Sequence, residues 1–239
     1  MHLRSAALSD IGKVRHQNED SYLCDEKAGL FAVADGVGGL PGGGEASQMA
    51  VDTVAELYYA VPEGEVVDLV KIVHEANTRI LKLGKKISPE HGIATTLTLG
   101  MITDGQLYLA HIGDSRCYVW HEGQLELLTL DHSLENEARR RGAQRLLAYF
   151  SESSRASLTR CLGQSEPPDV DFIVRPLFAG ERVLFCSDGL SRVIKETELA
   201  EILERNDDPV EAMEKLVDNV NNRGGPDNIT GVLVAIDEA

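Results

Sequence analysis

The sequence predicts an α+β fold in which two β-sheets pack on each other and helices cover the outside. Helical periodicity occurs in two separate blocks, residues 45–83 and 209–221, and much of the chain between them shows strand periodicity. The closing segment, residues 229–236, is nearly all apolar, which is typical of a central strand. Because apolar faces must be buried together, this order of elements favours stacked sheets with helices outside.

The first third of the chain predicts strands followed by helices. Three short apolar segments are expected to be strands: residues 3–9, 21–24 and 30–34. Residues 45–61 and 66–83 then place apolar side chains at helical spacing, which predicts two amphipathic helices, the second ending near Gly84.

The middle of the chain predicts further β-structure. Four segments with strand character follow one another: residues 95–102, 106–112, 117–120 and 125–128. Turn sequences join the first to the second and the third to the fourth, so we expect hairpins within one antiparallel meander.

The last part of the chain is less uniform. Residues 132–160, rich in Arg, Glu and Ser, predict a helix at 134–141 and otherwise a mobile surface element. Residues 170–174 and 182–186 predict strands, and residues 209–221 predict an amphipathic helix.

Composition limits the partners of the protein. The 239 residues, 43% apolar and 26% charged, are enough for a packed core, and we expect one domain over residues 1–239. A net charge of −16 would repel nucleic acid and anionic membranes, so neither is an expected partner, although solubility alone accounts for most of an acidic surface. We expect a monomer.

The cysteines and the hydropathy pattern indicate in which cellular compartment the protein is expected. Four cysteines lie far apart without a CxxC pair, as expected for small core residues in a reducing environment: Cys24, Cys117, Cys161 and Cys186. The first residues lack the apolar run of a signal peptide, and no stretch of about 18 apolar residues occurs. We therefore expect a soluble, cytoplasmic protein.

Four aspartates stand at the ends of predicted strands. Asp35, Asp114 and Asp188 follow apolar segments, Asp227 precedes one, and each lies beside glycine or another turn-forming residue. If these strand ends converge, the carboxylates would repel one another unless cations were bound. Oxygen ligands of this kind suit Mg²⁺ or Mn²⁺ rather than zinc. An isolated Asp-Gly pair is usually only a turn, and spacing alone does not establish convergence.

Other motifs that carry chemistry are missing from the sequence. A GxGxxG pattern fails because Pro41 stands where the third glycine would be, and no Walker lysine follows a glycine-rich loop. The seven histidines show neither HxH nor HExxH spacing, so a zinc site is not predicted.

Nine short motifs in order resemble one protein family. They are GKVRHQNEDSY, FAVADGVGG, GGGEAS, ATTLTLG, HIGDSR, LTLDHS, SLTRCLG, LFCSDGL and GPDNIT. Together they are similar to the metal-dependent serine/threonine protein phosphatases of the 2C type in their compact bacterial form. The resemblance implies a four-layer α/β/β/α sandwich, with two antiparallel β-sheets flanked by helices. It also implies hydrolysis of phosphoserine and phosphothreonine by a water that a binuclear Mg²⁺/Mn²⁺ centre activates.

The resemblance implies roles for individual residues. Asp35 would bridge the two metals, the Gly36 carbonyl would serve one, and Asp188 and Asp227 the other. Asp114, together with Asp188, is similar to a pair that holds a third, looser metal. Three further residues match catalytic positions of the family: Glu19 and Asp20, which orient metal-bound waters, and Arg15, which binds the substrate phosphate. The partners implied are phosphorylated proteins and an opposing Hanks-type kinase.

The chain departs from the family at two places. Val37 stands where many eukaryotic members carry a histidine proposed to protonate the leaving group, so that role has no assigned residue. Residues 132–160 stand where the family has a flap beside the cleft, and they match poorly between Gln144 and Ser157. Two other interpretations remain open: a catalytically silent module that binds phosphoproteins with the same fold, and an unrelated binding domain whose Asp-Gly pairs are only turns.

Overall fold

Two antiparallel five-stranded sheets form the centre of the protein in the computed structural model, which describes residues 1–39, 41–62 and 64–238. Sheet A contains, in spatial order, β1 (His2–Asp10), β10 (Ile229–Asp237), β9 (Arg182–Cys186), β6 (Arg116–His121) and β7 (Gln124–Leu127). Sheet B contains β2 (Asp20–Asp25), β3 (Leu30–Asp35), β4 (Leu97–Thr103), β5 (Gln106–Ile112) and β8 (Asp171–Pro176). The nearly all-apolar β10 lies between β1 and β9, as its sequence predicted.

Helices cover the outer face of each sheet. Helices α1 (Gly43–Ala60) and α2 (Leu69–Ile87) share an apolar core with sheet B. Three helices share a second core with sheet A: α5 (Asp188–Ser191), α6 (Glu196–Arg205) and α7 (Pro209–Asn222). The predicted four-layer α/β/β/α sandwich is therefore confirmed.

A third apolar core fills the space between the sheets. Phe31 of sheet B and Phe185 of sheet A are fully buried there, with ring centroids 6.3 Å apart. Burying an aromatic side chain of this size contributes about 2–3 kcal/mol relative to leaving it exposed. Strands from both sheets are thereby held at a fixed separation, which fixes where their ends meet.

Helix boundaries follow local capping rather than apolar periodicity alone. Helix α2 starts at Leu69, not at the predicted residue 66, because the Asp68 carboxylate accepts a hydrogen bond from the Lys71 backbone N–H at 3.1 Å. It continues past Gly84 to Ile87. At α7, Asp208 provides the cap and Pro209 the first helical residue.

Two features of the chain differ from the sequence prediction. Residues 97–127 do not form one meander: β4 pairs with β5 in sheet B, whereas β6 pairs with β7 in sheet A. The alternation of side chains predicted the hairpins but could not tell which sheet each hairpin joins. Helix α6 was not predicted, although it buries Leu199 and Leu203 at helical spacing.

Residues 132–160, which we call the flap segment, form short helices. They comprise α3 (Leu134–Arg140), a 3-10 turn (Gln144–Tyr149) and α4 (Glu152–Arg155). The two ends of the segment are joined by backbone hydrogen bonds from Leu134 to Ser157 and from Thr159 to His132, at 2.9 and 2.8 Å. Helix α3 agrees with the prediction, and the rest is more regular than expected.

None of the helices in the described part of the chain has both the length and the apolar character that crossing a bilayer requires.

Candidate active site

The four strand-end aspartates lie in one cleft. Asp35 is the last residue of β3, Asp114 and Asp188 follow β5 and β9, and Asp227 precedes β10. All four line a cavity of about 450 Å³ where the ends of sheets A and B meet. The structure thus brings together side chains that are far apart in the sequence.

Asp20 lies behind this cleft, at the start of β2. Its Cα pairs with that of Asp35 across the hairpin formed by β2 and β3. Neither oxygen of the Asp20 carboxylate has a hydrogen-bond partner, and both are buried. Two hydroxyls lie nearby but bond elsewhere. The Ser187 hydroxyl donates to the Thr230 carbonyl at 3.5 Å, and the Thr230 hydroxyl pairs with that of Ser9 at 2.7 Å. A buried carboxylate with open lone pairs requires water or a cation as its partner.

The loop between β1 and β2 brings Arg15 and Glu19 into the cleft. The Arg15 guanidinium donates a hydrogen bond to the Asp227 carboxylate at 2.7 Å, and this ion pair raises the pKa of Arg15. The buried Asn228 side chain holds the loop in place, because it accepts from the Glu19 backbone N–H and donates to the Ile11 and Gln17 carbonyls.

Two glycines let neighbouring backbones approach closely. A Cβ added at Gly36 would lie 2.5 Å from the Gly43 carbonyl, and one added at Gly189 would collide with the Asn228 carbonyl oxygen. Any larger residue would therefore force apart the loops that carry Asp35, Asp188 and the Asn228 contacts. This explains why each of these aspartates is followed by glycine.

Hydrogen bonds from the two threonines just before β4 fix the backbone of Asp35. The Thr96 hydroxyl accepts from the Asp35 N–H at 2.9 Å, and the Thr95 hydroxyl donates to the Asp35 carbonyl at 2.8 Å. The Asp35 side chain is thereby aimed from a rigid strand end into the cleft. Neither threonine was predicted to have a role at the site, although the ATTLTLG motif contains both.

A second arginine, Arg192, which the sequence did not predict to have a role, also lies in the cleft. Its guanidinium contacts the Asp114 carboxylate at 2.7 Å and the Asp188 carboxylate at 3.0 Å. Arg192 lines the cavity together with Arg15. Nothing in its local sequence distinguishes it from any other surface arginine.

The carboxylates destabilise one another's charge. Burial and repulsion from Asp20 and Asp188 raise the pKa of Asp35 well above its ordinary value. Burial raises the pKa of Asp20 to about 6, and burial with repulsion from Asp188 raises that of Asp114 to about 7, against the pull of Arg192. Burial also raises the pKa of Asp188. A cation in this cleft would relieve both the desolvation and the repulsion.

The side chains are not arranged as a finished metal shell. Within residues 1–39, 41–62 and 64–238, no three His, Cys, Asp or Glu side chains stand close enough together to hold one ion. Instead, Asp227 is paired with Arg15, and Asp114 and Asp188 with Arg192.

Two other residues of the cleft bear on the chemistry. Val37 lines the cavity and carries no proton that it could donate, so it leaves the leaving-group role unassigned. Cys161 was expected in the core, but it is only half-buried and lines the cleft. Cys24 is also only half-buried, whereas Cys117 and Cys186 are buried as predicted.

The comparisons with known proteins identify the family. A family model described as protein phosphatase 2C matches residues 13–233. The chain belongs to the protein phosphatase 2C family. It is therefore a phosphoprotein phosphatase, as the motifs predicted.

Relatives and solved structures agree over nearly the whole chain. The serine/threonine phosphatase stp of Listeria monocytogenes serotype 4b is 33% identical over 96% of this chain and 94% of its own. The crystal structure of the Mycobacterium tuberculosis serine/threonine phosphatase PstP/Ppp has a TM-score of 0.86 at 32% identity, covering 100% of both chains. A structure of the PstP catalytic domain in complex with 2 manganese ions has a TM-score of 0.81 at 33% identity, covering 99% of each chain.

Proposed function

We propose that this protein is a metal-dependent serine/threonine phosphatase that holds two Mg²⁺ or Mn²⁺ ions in the cleft. The observation that carries the proposal is the meeting of Asp35, Asp114, Asp188 and Asp227 in one cavity with Arg15. The family model, the serine/threonine phosphatase relatives and the manganese-bound PstP domain support it.

The residues present fit hard divalent cations. The donors are mainly carboxylate oxygens, which Mg²⁺ and Mn²⁺ prefer, and no histidine is among the described residues that line the cavity. The unpartnered oxygens of Asp20 and its raised pKa are those of an acid that lacks a positive partner. When bound, two such ions would acidify the attacking water and neutralise charge on the phosphate.

Each acidic residue has a position suited to its proposed role. Asp35 would hold both ions, with the Gly36 carbonyl serving one of them and Asp188 and Asp227 the other. Glu19 and Asp20 would accept hydrogen bonds from water in the cleft and so orient it. Because Asp20 and Asp35 are paired across a hairpin, the acid that orients water is fixed relative to the acid that holds the ions.

Arg15 would bind the substrate phosphate. Its planar guanidinium can donate to two phosphate oxygens at once, which a lysine could not do with the same geometry. The present contact with Asp227 orients the group and keeps it charged. Gly38 leaves space beside it, because a Cβ there would lie 3.0 Å from an Arg15 nitrogen. Binding two equatorial oxygens would also neutralise charge in the transition state.

Turnover is favoured over a silent phosphoprotein-binding module. A module that only binds has no need for buried, mutually repelling acids, which cost folding free energy without a cation. This cleft retains Asp35, Asp188, Asp227 and Arg15 together.

The test is hydrolysis of a phosphothreonine peptide and of p-nitrophenyl phosphate in Mn²⁺ or EDTA. We expect Mn²⁺ to switch hydrolysis on, EDTA to abolish it, and Asp35→Asn to remove most activity, since a neutral amide weakens ion binding. Asp104→Asn is the matched control, because Asp104 lies in an exposed turn with a φ of 50°, which asparagine also adopts. Metal-independent turnover, or full activity of Asp35→Asn, would refute the proposal.

We further propose that the substrates are phosphoproteins produced by a Hanks-type serine/threonine kinase of the same cell. All four cysteines carry free thiols, which is typical of a reducing compartment and supports a cytoplasmic location. Incubation of the enzyme with a cell lysate phosphorylated by that kinase would identify substrates by loss of phosphate. Persistence of every kinase-dependent phosphosite would contradict this pairing.

A further inference from the structure

Arg192 bridges two carboxylates that the proposed function assigns to metal binding. It immediately follows α5, and its backbone N–H donates to the Asp188 carbonyl at 2.9 Å. From there the side chain turns back over Asp188 and reaches Asp114, which is 78 residues away in the sequence. One guanidinium nitrogen contacts each carboxylate, at 2.7 Å for Asp114 and 3.0 Å for Asp188.

The bridge neutralises a buried acid of the cleft. The Asp114 side chain is only 7% exposed, whereas that of Arg192 is 50% exposed and faces the cavity. Asp114 has no other hydrogen-bonded cation among the described residues. The Asp114 end of the cleft therefore already contains a positive charge, supplied by the chain itself.

Metal and guanidinium cannot use the same oxygens at once. A Mg²⁺ ion needs carboxylate oxygens at about 2.0–2.1 Å in a nearly octahedral arrangement. Arg192 Nη2 contacts Oδ2 of Asp114 and Nη1 contacts Oδ2 of Asp188, so one oxygen of each carboxylate is engaged. An ion coordinated by these two oxygens together could enter only after the guanidinium had left, and the tethered arginine competes at a high effective concentration.

We propose that Arg192 is a built-in cation that closes the Asp114 end of the cleft to exchangeable divalent ions. The chain would then hold two ions at the Asp35 end and no third ion between Asp114 and Asp188. This inference rests on the proposed function, since it concerns which carboxylates remain open to metal. It replaces the expectation from the resemblance that these two acids hold a looser third ion.

The same geometry gives Arg192 a positioning role. A guanidinium fork fixes the relative orientation of Asp114 and Asp188, and Asp188 also belongs to the Asp35 end of the cleft. An exchangeable ion would hold the two acids only at high metal concentration. A covalently attached cation holds them at any concentration, so activity should not depend on a weak third binding step.

The experiment counts bound Mn²⁺ by electron paramagnetic resonance of the free ion, with isothermal titration calorimetry on the same samples. We expect two ions per wild-type chain up to millimolar Mn²⁺. Arg192→Gln should bind one further ion, roughly ten-fold or more weakly, because fewer carboxylates surround it. Asp114→Asn combined with Arg192→Gln should return the count to two.

Arg205→Gln is the matched control, because Arg205 also pairs with an acid four residues earlier, Glu201 at 3.5 Å, on an exposed helix face. It should leave the ion count at two. The wild-type count keeps the inference testable if Arg192→Gln folds poorly, because the inference requires two ions and no third in the unaltered chain.

Any other ion count would overturn either this inference or the proposed function. A third weak ion in the wild-type protein would show that Arg192 swings away, and would overturn the inference. An unchanged count of two in a folded Arg192→Gln variant, or a third ion that survives in the double variant, would overturn it as well. Wild-type protein that bound no Mn²⁺ would overturn the proposed function itself, so the two failures are distinguishable.

Discussion

Replacing Asn228 with alanine is expected to destabilise the protein and to impair catalysis together. The Asn228 side chain is 5% exposed and makes three hydrogen bonds to the loop that carries Arg15 and Glu19. Their donor–acceptor distances are 2.9 Å to the Glu19 N–H, 3.0 Å to the Ile11 carbonyl and 2.9 Å to the Gln17 carbonyl. Alanine would remove all three bonds at once.

The expected loss follows from the number of bonds. At about 1 kcal/mol net for each hydrogen bond, Asn228→Ala should lower the free energy of unfolding by roughly 3 kcal/mol. For a chain of this size the melting temperature should then fall by about 6–12 °C. Because Arg15 and Glu19 would lose their fixed position, kcat/KM for a phosphopeptide should fall roughly 10- to 100-fold.

Urea unfolding followed by circular dichroism measures the first quantity, and phosphate release in saturating Mn²⁺ measures the second. Asn219→Ala is the control, since that side chain makes one exposed hydrogen bond to Lys215 within α7. It should change stability by less than about 0.5 kcal/mol. If Asn228→Ala matched this control in both measurements, Asn228 would not hold the loop and the reasoning would be wrong.

Three further predictions test other parts of the cleft. Arg15→Ala should chiefly raise KM for phosphopeptides, by roughly 10-fold or more, because a phosphate contact is lost; a large fall in kcat at unchanged KM would instead place its effect in the transition state. Gly189→Ala should cost about 2 kcal/mol or more because the new methyl group collides with a backbone carbonyl, whereas Gly44→Ala, with its nearest neighbours 3.8 Å away, should be tolerated; equal urea midpoints for the two variants would contradict this. In EDTA the melting temperature should fall as pH rises from about 4 to 7, because burial raises the pKa values of Asp20 and Asp114 to about 6 and about 7, so the folded chain binds more protons than the unfolded chain there. Mn²⁺ should remove most of this slope, and a flat profile in EDTA would show that these pKa values are not raised.

Most of the fold could be predicted because its signals are local. Strands such as Gln106–Ile112 and Arg182–Cys186 have the predicted bounds, since apolar side chains end abruptly at turn residues. The assignment of hairpins to sheets could not be predicted, because alternation describes one strand and not its partner. Helix α6 was missed because its ten residues bury only two side chains, Leu199 and Leu203.

The candidate site likewise contains some residues that could be predicted from the sequence and others that could not. Asp35 and Asp188 could be identified from glycine beside an acid at a strand end, which is a local pattern. Arg192 could not, because its significance depends on a contact with Asp114, far away in the chain. Asn228 is intermediate: its motif was recognised, but only the fold shows that it fastens a distant loop.

The flap segment begins and ends at adjacent points of the backbone, where Ser133 pairs with Leu158. An insert anchored in this way can change its length or sequence without stretching the strands on either side, since both ends stay joined. The region beside the reaction centre can therefore diversify during evolution while the acids beneath it stay constant. Exchanging residues 134–157 between related enzymes is therefore expected to give folded hybrids in which the acids of the cleft keep their positions.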